Sequence, residues 1–282
     1  MTDWQPSALQ RERLAAARRL RARSLLLATS ATVVVFGVAL TLLVTSPGWP
    51  RVQETFFDPQ AAKDAFPEVL KGFWLNIRLF LIAEPLILVL GLAVALARVS
   101  TTPVMAPVRI AAVAYTDLFR GLPTILVIFL ICFGVPALNL QGVTTSLFWL
   151  ALLGLVLSYG AYVAEVFRAG IESVHPSQVA SATALGLSHA QAMRHVVVPQ
   201  AVRRVLPPLL NDFVSLQKDT ALVAAVGLFD ALGTASDTAN FTFNYTPYVV
   251  AAALFVALTI PLARLTDWVG RRGRERERAG AL

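Results

Sequence analysis

The sequence has little of what a water-soluble enzyme of this length needs. Charged residues make up only 15% of its 282 residues, whereas 56% are hydrophobic. Cysteine occurs once, which excludes an intramolecular disulfide, an iron–sulfur cluster and a thiolate zinc site. Polar residues are too scarce to cover the surface of a soluble globule, so the composition predicts a membrane protein.

The common motifs of nucleotide hydrolysis and hydrolytic catalysis are also missing. The chain has no G-x-x-x-x-G-K-[ST] loop for phosphate, no G-x-S-x-G elbow and no H-E-x-x-H helix. Its three histidines, His175, His189 and His195, do not fall on one helical face. We therefore expect no catalytic residue, no metal and no cofactor in this chain, and any ATP must be hydrolysed elsewhere.

Long apolar stretches are what the chain does have. Crossing a hydrocarbon core of about 30 Å takes roughly 20 helical residues. The stretches that are long enough are 24–45, 72–99, 122–138, 146–167, 205–226 and 245–265. The sequence thus predicts an all-α integral membrane protein with six transmembrane helices. No cleavage site is evident after the first span, which we expect to remain as an anchor.

Arginines predict the orientation, because Lys and Arg in short loops stay on the cytoplasmic side. They are concentrated in a basic arm (1–23), in a basic tail (271–282), and at the cytoplasmic ends of the second and fourth spans with the connections that follow them. The arginines of this last group are Arg98, Arg109, Arg120, Arg168, Arg194, Arg203 and Arg204. We expect both termini in the cytoplasm and residues 46–71 in an external loop. The net charge of +7 follows from topology, and nucleic-acid binding is disfavoured since the basic runs flank membrane spans.

The connection 169–204 between the fourth and fifth spans carries clear helix signals. Pro176 is suited to the first position of a short helix, whose Ala-rich run ends at Gly186, a residue suited to the left-handed position after a helix. Ser188 and Gln191 form a capping box for a second short helix, which Pro199 interrupts or kinks. Such a helix–glycine–helix element is suited to docking a partner; an ordinary amphipathic connector is the alternative.

Several segments of the chain resemble the permease subunits of bacterial ABC importers for polar amino acids. These segments are 119–123 (FRGLP), 133–136 (FGVP), 162–178 (YVAEVFRAGIESVHPSQ), 182–187 (ATALGL), 198–201 (VPQA) and 207–222 (PPLLNDFVSLQKDTAL). They occur in the family's order over about 72–272. The resemblance implies a permease domain over 72–270 with a type I core of five helices, to which the span 24–45 adds an extra N-terminal helix.

In that family the cytoplasmic loop contains the EAA motif, a coupling helix that enters a groove of the ATPase subunit. The resemblance implies that the ATPase is contacted by Gln178, Ala180, Ser181, Ala182, Ala184, Leu185, Gly186 and Leu187. Where the family usually has Glu-Ala-Ala, this chain has Ala180, Ser181 and Ala182, so the glutamate's polar contact is missing although alanine retains helix propensity.

The resemblance also implies partners and a location. We expect two ATP-binding subunits, which carry the ATP and magnesium, a second permease subunit (a copy or a sister chain) and an extracytoplasmic substrate-binding protein. The chain itself would be no enzyme, and it would lie in a bacterial inner membrane. An ion-coupled secondary transporter or channel is the alternative function, although no inverted repeat is evident. A membrane-embedded enzyme is a third possibility, which product formation would reveal.

Polar side chains within the apolar spans predict a translocation path, because a charge at mid-membrane costs about 2.5–3.5 kcal/mol on insertion scales. The candidates are Glu84, Ser158, Tyr162, Glu165, Asn211, Asp212, Ser215, Lys218 and Asp219, of which the last five share one arc of the fifth span. Glu84, Asp212 or Glu165 are candidates to accept the ammonium group of an amino acid, and Lys218 or Arg78 to bind its carboxylate. Interhelical hydrogen bonds and salt bridges are the structural alternative for these groups.

Overall fold

The computed structural model describes residues 7–279, so residues 1–6 of the basic arm and 280–282 of the tail lie outside it. The described residues form helices and connections without a strand. They divide into a unit that ends at Thr55 and a second unit that begins at Phe56.

The first unit contains one long helix, α1 (Ala8–Val44), and most of a short one, α2 (Trp49–Phe56). Helix α1 covers the predicted span 24–45 except for its last residue, Thr45; it begins 16 residues earlier, so the basic arm is helical from Ala8 onward. Thr32 and Thr41 each donate their hydroxyl to the carbonyl four residues back, at 2.8 Å. These hydroxyls are thereby satisfied without water, as a membrane requires.

The second unit opens with α3 (Pro59–Val99), 41 residues long. Asp58 caps its start, because one carboxylate oxygen accepts the backbone N–H of Gln60 at 2.8 Å, and Pro59 occupies the first turn, where no N–H is needed. The predicted span 72–99 is therefore correct as a span, but the helix starts 13 residues earlier.

The third predicted span, 122–138, is only half of a bent pair. Helix α4 (Ala106–Gly121) turns by 105° into α5 (Thr124–Phe129), a π-helical segment (Leu130–Gly134) and α6 (Val135–Ala137). The break falls at Leu122 because Pro123 disfavours the helical conformation for the preceding residue, and Leu122 is extended at φ −102° and ψ 139°. Residues 106–121, which sequence analysis left in a cytoplasmic connection, are thus helical and pack against α3 and α7.

The remaining helices follow the predicted order. They are α7 (Leu147–Glu172), α8 (Pro176–Ala184), α9 (His189–Ala192), a π-helical segment (Met193–Val197), α10 (Val198–Asp219), a 3₁₀ segment (Thr220–Val226), α11 (Ala231–Thr242) and α12 (Thr246–Ala279). Among residues 7–279, four helices are long and apolar enough to cross a membrane, and the number is six if each of the two bent pairs is one span, which agrees with the predicted fold class.

Helices α3 and α7 form the centre of the second unit and approach closely through small residues. A Cβ on Gly91 of α3 would lie 2.6 Å from a methyl group of Val163, and a Cβ on Gly160 of α7 would lie 2.8 Å from a methyl group of Leu90. Both contacts are shorter than ordinary Cβ contacts, so a side chain at either position would force a neighbour to move. Close helix approach of this kind is how helices gain packing energy in a membrane, where lipid removes the hydrophobic drive between them.

Candidate functional site

The first half of the predicted docking element folds as expected. Helix α8 begins at Pro176 after His175, whose Nδ1 accepts the N–H of Ser177 at 3.2 Å. Gly186 has φ +84°, a conformation that glycine adopts without strain. Two hydrogen bonds close the helix as a Schellman turn: the N–H of Gly186 donates to the carbonyl of Thr183 at 2.9 Å, and that of Leu187 to the carbonyl of Ala182 at 3.1 Å.

The second half also follows the predicted capping chemistry. The N–H of Ser188 donates to Oε1 of Gln191 at 2.8 Å, and the N–H of Gln191 donates to Oγ of Ser188 at 3.4 Å. The helix then continues through the π-helical segment Met193–Val197 into α10, with Pro199 at its second position. The α-helical hydrogen-bond pattern is thus interrupted just before Pro199, as predicted. The wider π-helical turn accommodates proline, which has no backbone N–H to donate.

Most of the predicted docking residues are accessible in this element. Gln178, Ala180, Ser181, Ala184, Leu185 and Gly186 are exposed, Leu187 is half-buried, and only Ala182 is buried. Leu185 leaves 83% of its surface exposed at the tip beside the glycine turn. The opposite side of the element is anchored by an apolar cluster of Val174, Val197 and Ala201. The element therefore presents its tip to solvent while its base is fixed to α7 and α10.

A cleft of about 430 Å³ lies beside this base, between α7, α10 and the end of α4. Its walls include Arg120, Tyr162, Glu165, Arg204 and Asp212. The cleft thus brings together three of the predicted path residues, Tyr162, Glu165 and Asp212, with two arginines that sequence analysis had placed in connecting loops.

Glu165 is the centre of an ion-pair cluster at one side of the cleft. Its Oε2 lies 2.7 Å from Nη1 of Arg98 and 3.7 Å from Nη1 of Arg120, while Oε1 pairs with Arg168. Arg168 also pairs with Glu172. The carboxylate of Glu165 therefore joins the ends of α3, α4 and α7. This geometry matches the interhelical salt bridge, which sequence analysis gave as the structural alternative to a role in the translocation path.

Asp212 and Glu84 differ from Glu165 in having no cation bound to them. Oδ2 of Asp212 is buried, and no hydrogen-bond partner for it occurs among residues 7–279; the same holds for Oγ of Ser158. Glu84 on α3 is half-buried and within electrostatic range of Asp212. Asp219, further along α10, is bound at Oδ2 by the hydroxyl of Tyr159 at 2.6 Å. The middle of the second unit thus contains three acidic side chains, none of which forms an ion pair among the described residues.

The predicted polar arc of α10 does not act as one surface. Asp212 lines the cleft beside α7, whereas Asn211 lines a second groove toward α12 with Asp267. Ser215 is half-buried and Lys218 is exposed. Arg78, the other proposed carboxylate ligand, places its guanidinium over the ring of Phe148 at 5.4 Å. An arc of about 120° is wide enough to face two neighbours, which the helical wheel alone does not separate.

Sequence analysis missed a buried polar network far from this cleft. Nδ2 of Asn76 donates to Oδ2 of Asp230 at 2.8 Å, and the N–H of Ala231 donates to Oδ1 of Asn76 at 3.1 Å. Asp230 also caps α11 by accepting the N–H of Gly233 at 2.8 Å. Asn76 was detectable as an amide inside an apolar span. Asp230 lies between the predicted spans 205–226 and 245–265, and nothing in its neighbouring sequence indicated burial. In the described part of the chain, no group of His, Cys, Asp and Glu side chains is arranged to hold a metal ion.

Several known proteins resemble this chain in sequence. A family model described as the inner membrane component of binding-protein-dependent transport systems matches residues 87–275. The arginine transport system permease protein ArtQ of Bacillus subtilis is 31% identical over 216 residues, which are 76% of this chain and 96% of that protein. The probable glutamine ABC transporter permease protein GlnM of the same organism is 32% identical over 74% of this chain and 94% of its own length.

Two kinds of solved structure resemble the fold. A crystal structure of an amino acid ABC transporter with histidines is 30% identical, has a TM-score of 0.69, and is matched over 76% of this chain and 98% of that chain. The MetNI methionine ABC transporter in inward facing conformations is 18% identical with a TM-score of 0.59, over 73% of this chain and 95% of that chain, a likeness of fold alone.

Proposed function

Since this chain belongs to the family of inner membrane components of binding-protein-dependent transport systems, we propose that it carries an amino acid through the membrane in an ATP-driven importer. The chain is the membrane-spanning permease subunit of an ABC transporter and an integral inner-membrane protein. The names of the two relatives given above refer to the transport of arginine and of glutamine, and the proposed substrate class is taken from them.

The proposed assembly has two ATP-binding subunits, which bind ATP and magnesium, a second permease subunit and an external substrate-binding protein. Both termini lie in the cytoplasm, with the arm 1–23, the connection 169–204 and the tail 271–282 on that side and residues 46–71 outside. The distribution of arginine supports this orientation. The permease domain spans 72–270, and 24–45 is an additional membrane helix.

The observation that carries the proposal is the helix–glycine–helix element. It joins α7 directly to α10, its tip is exposed, and both of its caps are closed by hydrogen bonds. An ATPase that pushes on this tip moves a rigid unit, so the displacement reaches two membrane helices without loss in a flexible loop. The ATPase contact consists of Gln178, Ala180, Ser181, Ala184, Leu185, Gly186 and Leu187, with Ala182 supporting the helix from its buried side.

The proposed path for the substrate runs past Glu84, Ser158, Tyr162, Asp212, Ser215 and Asp219, and ends in the charged cleft. Asp212 and Glu84 are the acceptors for the ammonium group, because both acids lie on candidate membrane-spanning segments and neither forms an ion pair among residues 7–279. Glu165 borders the path as the link between helix ends. Asn211 faces the groove toward α12, and Lys218 is exposed, so both lie at the margin of the path. Nothing in the comparisons favours an ion-coupled transporter or channel.

The test is a single methyl group on Gly186. A Cβ there would meet no atom within 4 Å, so Gly186→Ala changes only the cost of the left-handed turn, about 1–2 kcal/mol. If that cost falls on the docked element, the affinity for the ATPase drops roughly 5- to 30-fold. The measurement is recovery of a P-loop ATPase with the tagged chain in mild detergent, followed by ATP-driven uptake of labelled amino acids into proteoliposomes.

Gly37→Ala is the matched control, because a Cβ on Gly37 in α1 also meets no atom within 4 Å while its backbone is helical. It should recover the ATPase as wild type does. Wild type that recovers no ATPase and transports amino acids without ATP would refute the proposed function, and equal recovery by the two variants would refute the role of the glycine turn.

A further inference from the structure

The exposed face of α12 is apolar within the candidate span and basic toward the end of that span. Ile260 and Leu265 leave 54% and 55% of their surfaces exposed. In the most apolar part of the span Thr246–Arg272, only 6% of the residues are buried within the described chain. Beyond Leu265, Arg271 and Arg272 are exposed as well. This face of α12 is therefore open to a partner that is apolar at one end and anionic at the other.

Three arginines and one tryptophan form the basic end of this face. At about 100° per residue, they fall within one arc of roughly 100° around the helix. They are Arg264, Trp268, Arg271 and Arg272, and all four side chains are exposed. The acid nearest to them in sequence, Asp267, lines the groove toward α10. These four residues, here termed the basic face, thus include three cations, none of which forms an ion pair among residues 7–279.

Trp268 restrains the side chain of Arg272. Cζ of Arg272 lies 4.2 Å from the centroid of the indole ring, which is a cation–π contact. Stacking of this kind uses the flat face of the guanidinium and leaves the N–H donors in its plane available. A planar fork of donors matches the oxygens of a phosphate, and a restrained side chain loses less entropy on binding. The pair is therefore preorganised to bind a phosphate.

The depth of the basic face agrees with that of a lipid phosphate. The candidate span Thr246–Arg272 has 27 residues, or about 40 Å at about 1.5 Å per residue, close to the thickness of a bilayer with its headgroups. The apolar run ends at Leu265, so Trp268 lies about 4–5 Å and Arg271 about 9 Å further along the axis. Tryptophan is enriched at this interface, and an arginine near it extends its guanidinium toward the headgroups.

We propose that the basic face of α12 binds the phosphate of an anionic phospholipid, whose acyl chains lie along Ile260 and Leu265. Arginines next to a membrane span attract anionic lipids. The ammonium group of a zwitterionic headgroup would add a fourth cation beside the three arginines, so zwitterionic lipids bind this face less well. None of the four residues lines the cleft beside the docking element, so the lipid site is separate from the proposed substrate path.

Two protein partners fit this face less well than a phospholipid does. An ATP-binding subunit in the cytoplasm has carboxylates for the arginines, but it does not reach Ile260 within the hydrocarbon core. A second copy of this chain has apolar residues for Ile260 and Leu265, but a two-fold contact through this face would bring the same arginines together. A phospholipid satisfies both ends of the face.

The test measures which lipid the purified full chain retains. The protein in mild detergent is equilibrated with equal amounts of phosphatidylglycerol, which is anionic, and phosphatidylcholine, which is zwitterionic, with identical acyl chains. Native mass spectrometry then counts the molecules of each lipid that remain bound. The triple variant combines Arg264→Gln, Arg271→Gln and Arg272→Gln. The control combines Arg11→Gln, Arg13→Gln and Arg21→Gln in α1, where the arginines are also exposed but have no tryptophan within four residues.

Wild type should retain phosphatidylglycerol in preference to phosphatidylcholine. One arginine near an anionic surface increases binding about fivefold, so Arg272→Gln alone should reduce the preference by about that factor. The triple variant of α12 should reduce it by more than about 25-fold, and the α1 control by no more than about fivefold. Equal losses in the two triple variants would indicate only a general attraction of arginine to anionic lipid and would overturn the site.

A second measurement locates the lipid without the triple variant. Tryptophan fluorescence of wild type and of Trp268→Phe is compared in vesicles of the same two lipids, in which first only phosphatidylglycerol and then only phosphatidylcholine carries bromine, a contact quencher. The difference between the two proteins belongs to Trp268, and brominated phosphatidylglycerol should quench it more strongly. Equal quenching by the two lipids would refute the preference at this face. A triple variant that keeps its phosphatidylglycerol but loses an ATPase or a second permease subunit would overturn the lipid site in favour of a protein contact.

Discussion

Helices α7 and α10 pack closely where Gly170 faces Val205, next to the docking element. A Cβ on Gly170 would lie 2.0 Å from Cγ1 of Val205, far inside the 3.4–4 Å of ordinary contact. Gly170→Ala therefore forces the helices apart or Val205 into another rotamer. Overpacking of this kind costs about 1–3 kcal/mol. With a shift of roughly 2–4 °C per kcal/mol for chains of this size, the melting temperature should fall by several degrees.

The structure also predicts which second change restores the fold. Without the methyl groups of Val205, the nearest atoms to the new Cβ are the carbonyl oxygen of Ala201 at 3.4 Å and Cβ of Val205 at 3.5 Å, both acceptable contacts. Val205→Ala alone should cost about 1.5–2 kcal/mol, because two buried methyl groups are lost. The double variant should be no less stable than Val205→Ala, which is a coupling of about 1–3 kcal/mol between the two sites.

The assay is thermal unfolding of the purified wild type, both single variants and the double variant in one detergent at one heating rate, since membrane proteins often unfold irreversibly. Additive losses in the double variant would show that the cost of Gly170→Ala does not come from Val205. A wild-type melting temperature for Gly170→Ala would refute the close crossing itself.

Three other substitutions test the remaining polar and close contacts. Glu165→Gln should lower stability by about 2 kcal/mol, because it leaves three arginines without their shared carboxylate. The control Glu172→Gln removes only a partner of Arg168 and should cost less than about 0.5 kcal/mol. Equal melting temperatures for these two variants would contradict the central role of Glu165. Gly72→Ala should be severely destabilising and resist rescue, because its Cβ would lie 2.5 Å from the backbone oxygen of Asp230, and reduced yield of folded protein in detergent measures it. Asn76→Ala should cost about 1–3 kcal/mol by leaving Asp230 without its side-chain donor, so a melting temperature equal to wild type would argue against the buried network.

The features that the sequence predicted well are those set by short-range chemistry. The turn at Gly186 follows from an Ala-rich run that ends in glycine, and the capping box from Ser188 and Gln191; both hydrogen-bond patterns occur as expected. The spans follow from the length of their apolar runs, and the count of six agrees with four helices and two bent pairs.

The features that it did not predict depend on contacts between distant segments. The helix Ala106–Gly121 was left out because Arg109 and Arg120 lower its apparent hydropathy, yet both arginines reach partners at the helix ends, the carbonyl of Ser100 and the carboxylate of Glu165. Pro123 was the signal in the sequence for the bend at Leu122.

The candidate site was predicted in its residue types more than in its grouping. Depth and polarity selected Asp212 and Glu84 as candidates for the translocation path, and among the described residues neither acid forms an ion pair. The same criteria selected Glu165, and only the positions of Arg98 and Arg120, at 2.7 Å and 3.7 Å, show that it binds helix ends together. Which cation meets which anion depends on helix packing, and a single helical wheel does not contain that information.

The length of α3 has a mechanical consequence. At 1.5 Å per residue its 41 residues extend about 60 Å, twice the thickness of a hydrocarbon core of about 30 Å. One continuous rod therefore begins in the segment assigned to the external side, passes Glu84, and ends beside Arg98. Pro67 and Pro85 are the points at which it can flex. A tilt of the first turns of α3 would therefore displace the carboxylate of Glu84 and the guanidinium of Arg98, an ion-pair partner of Glu165, together.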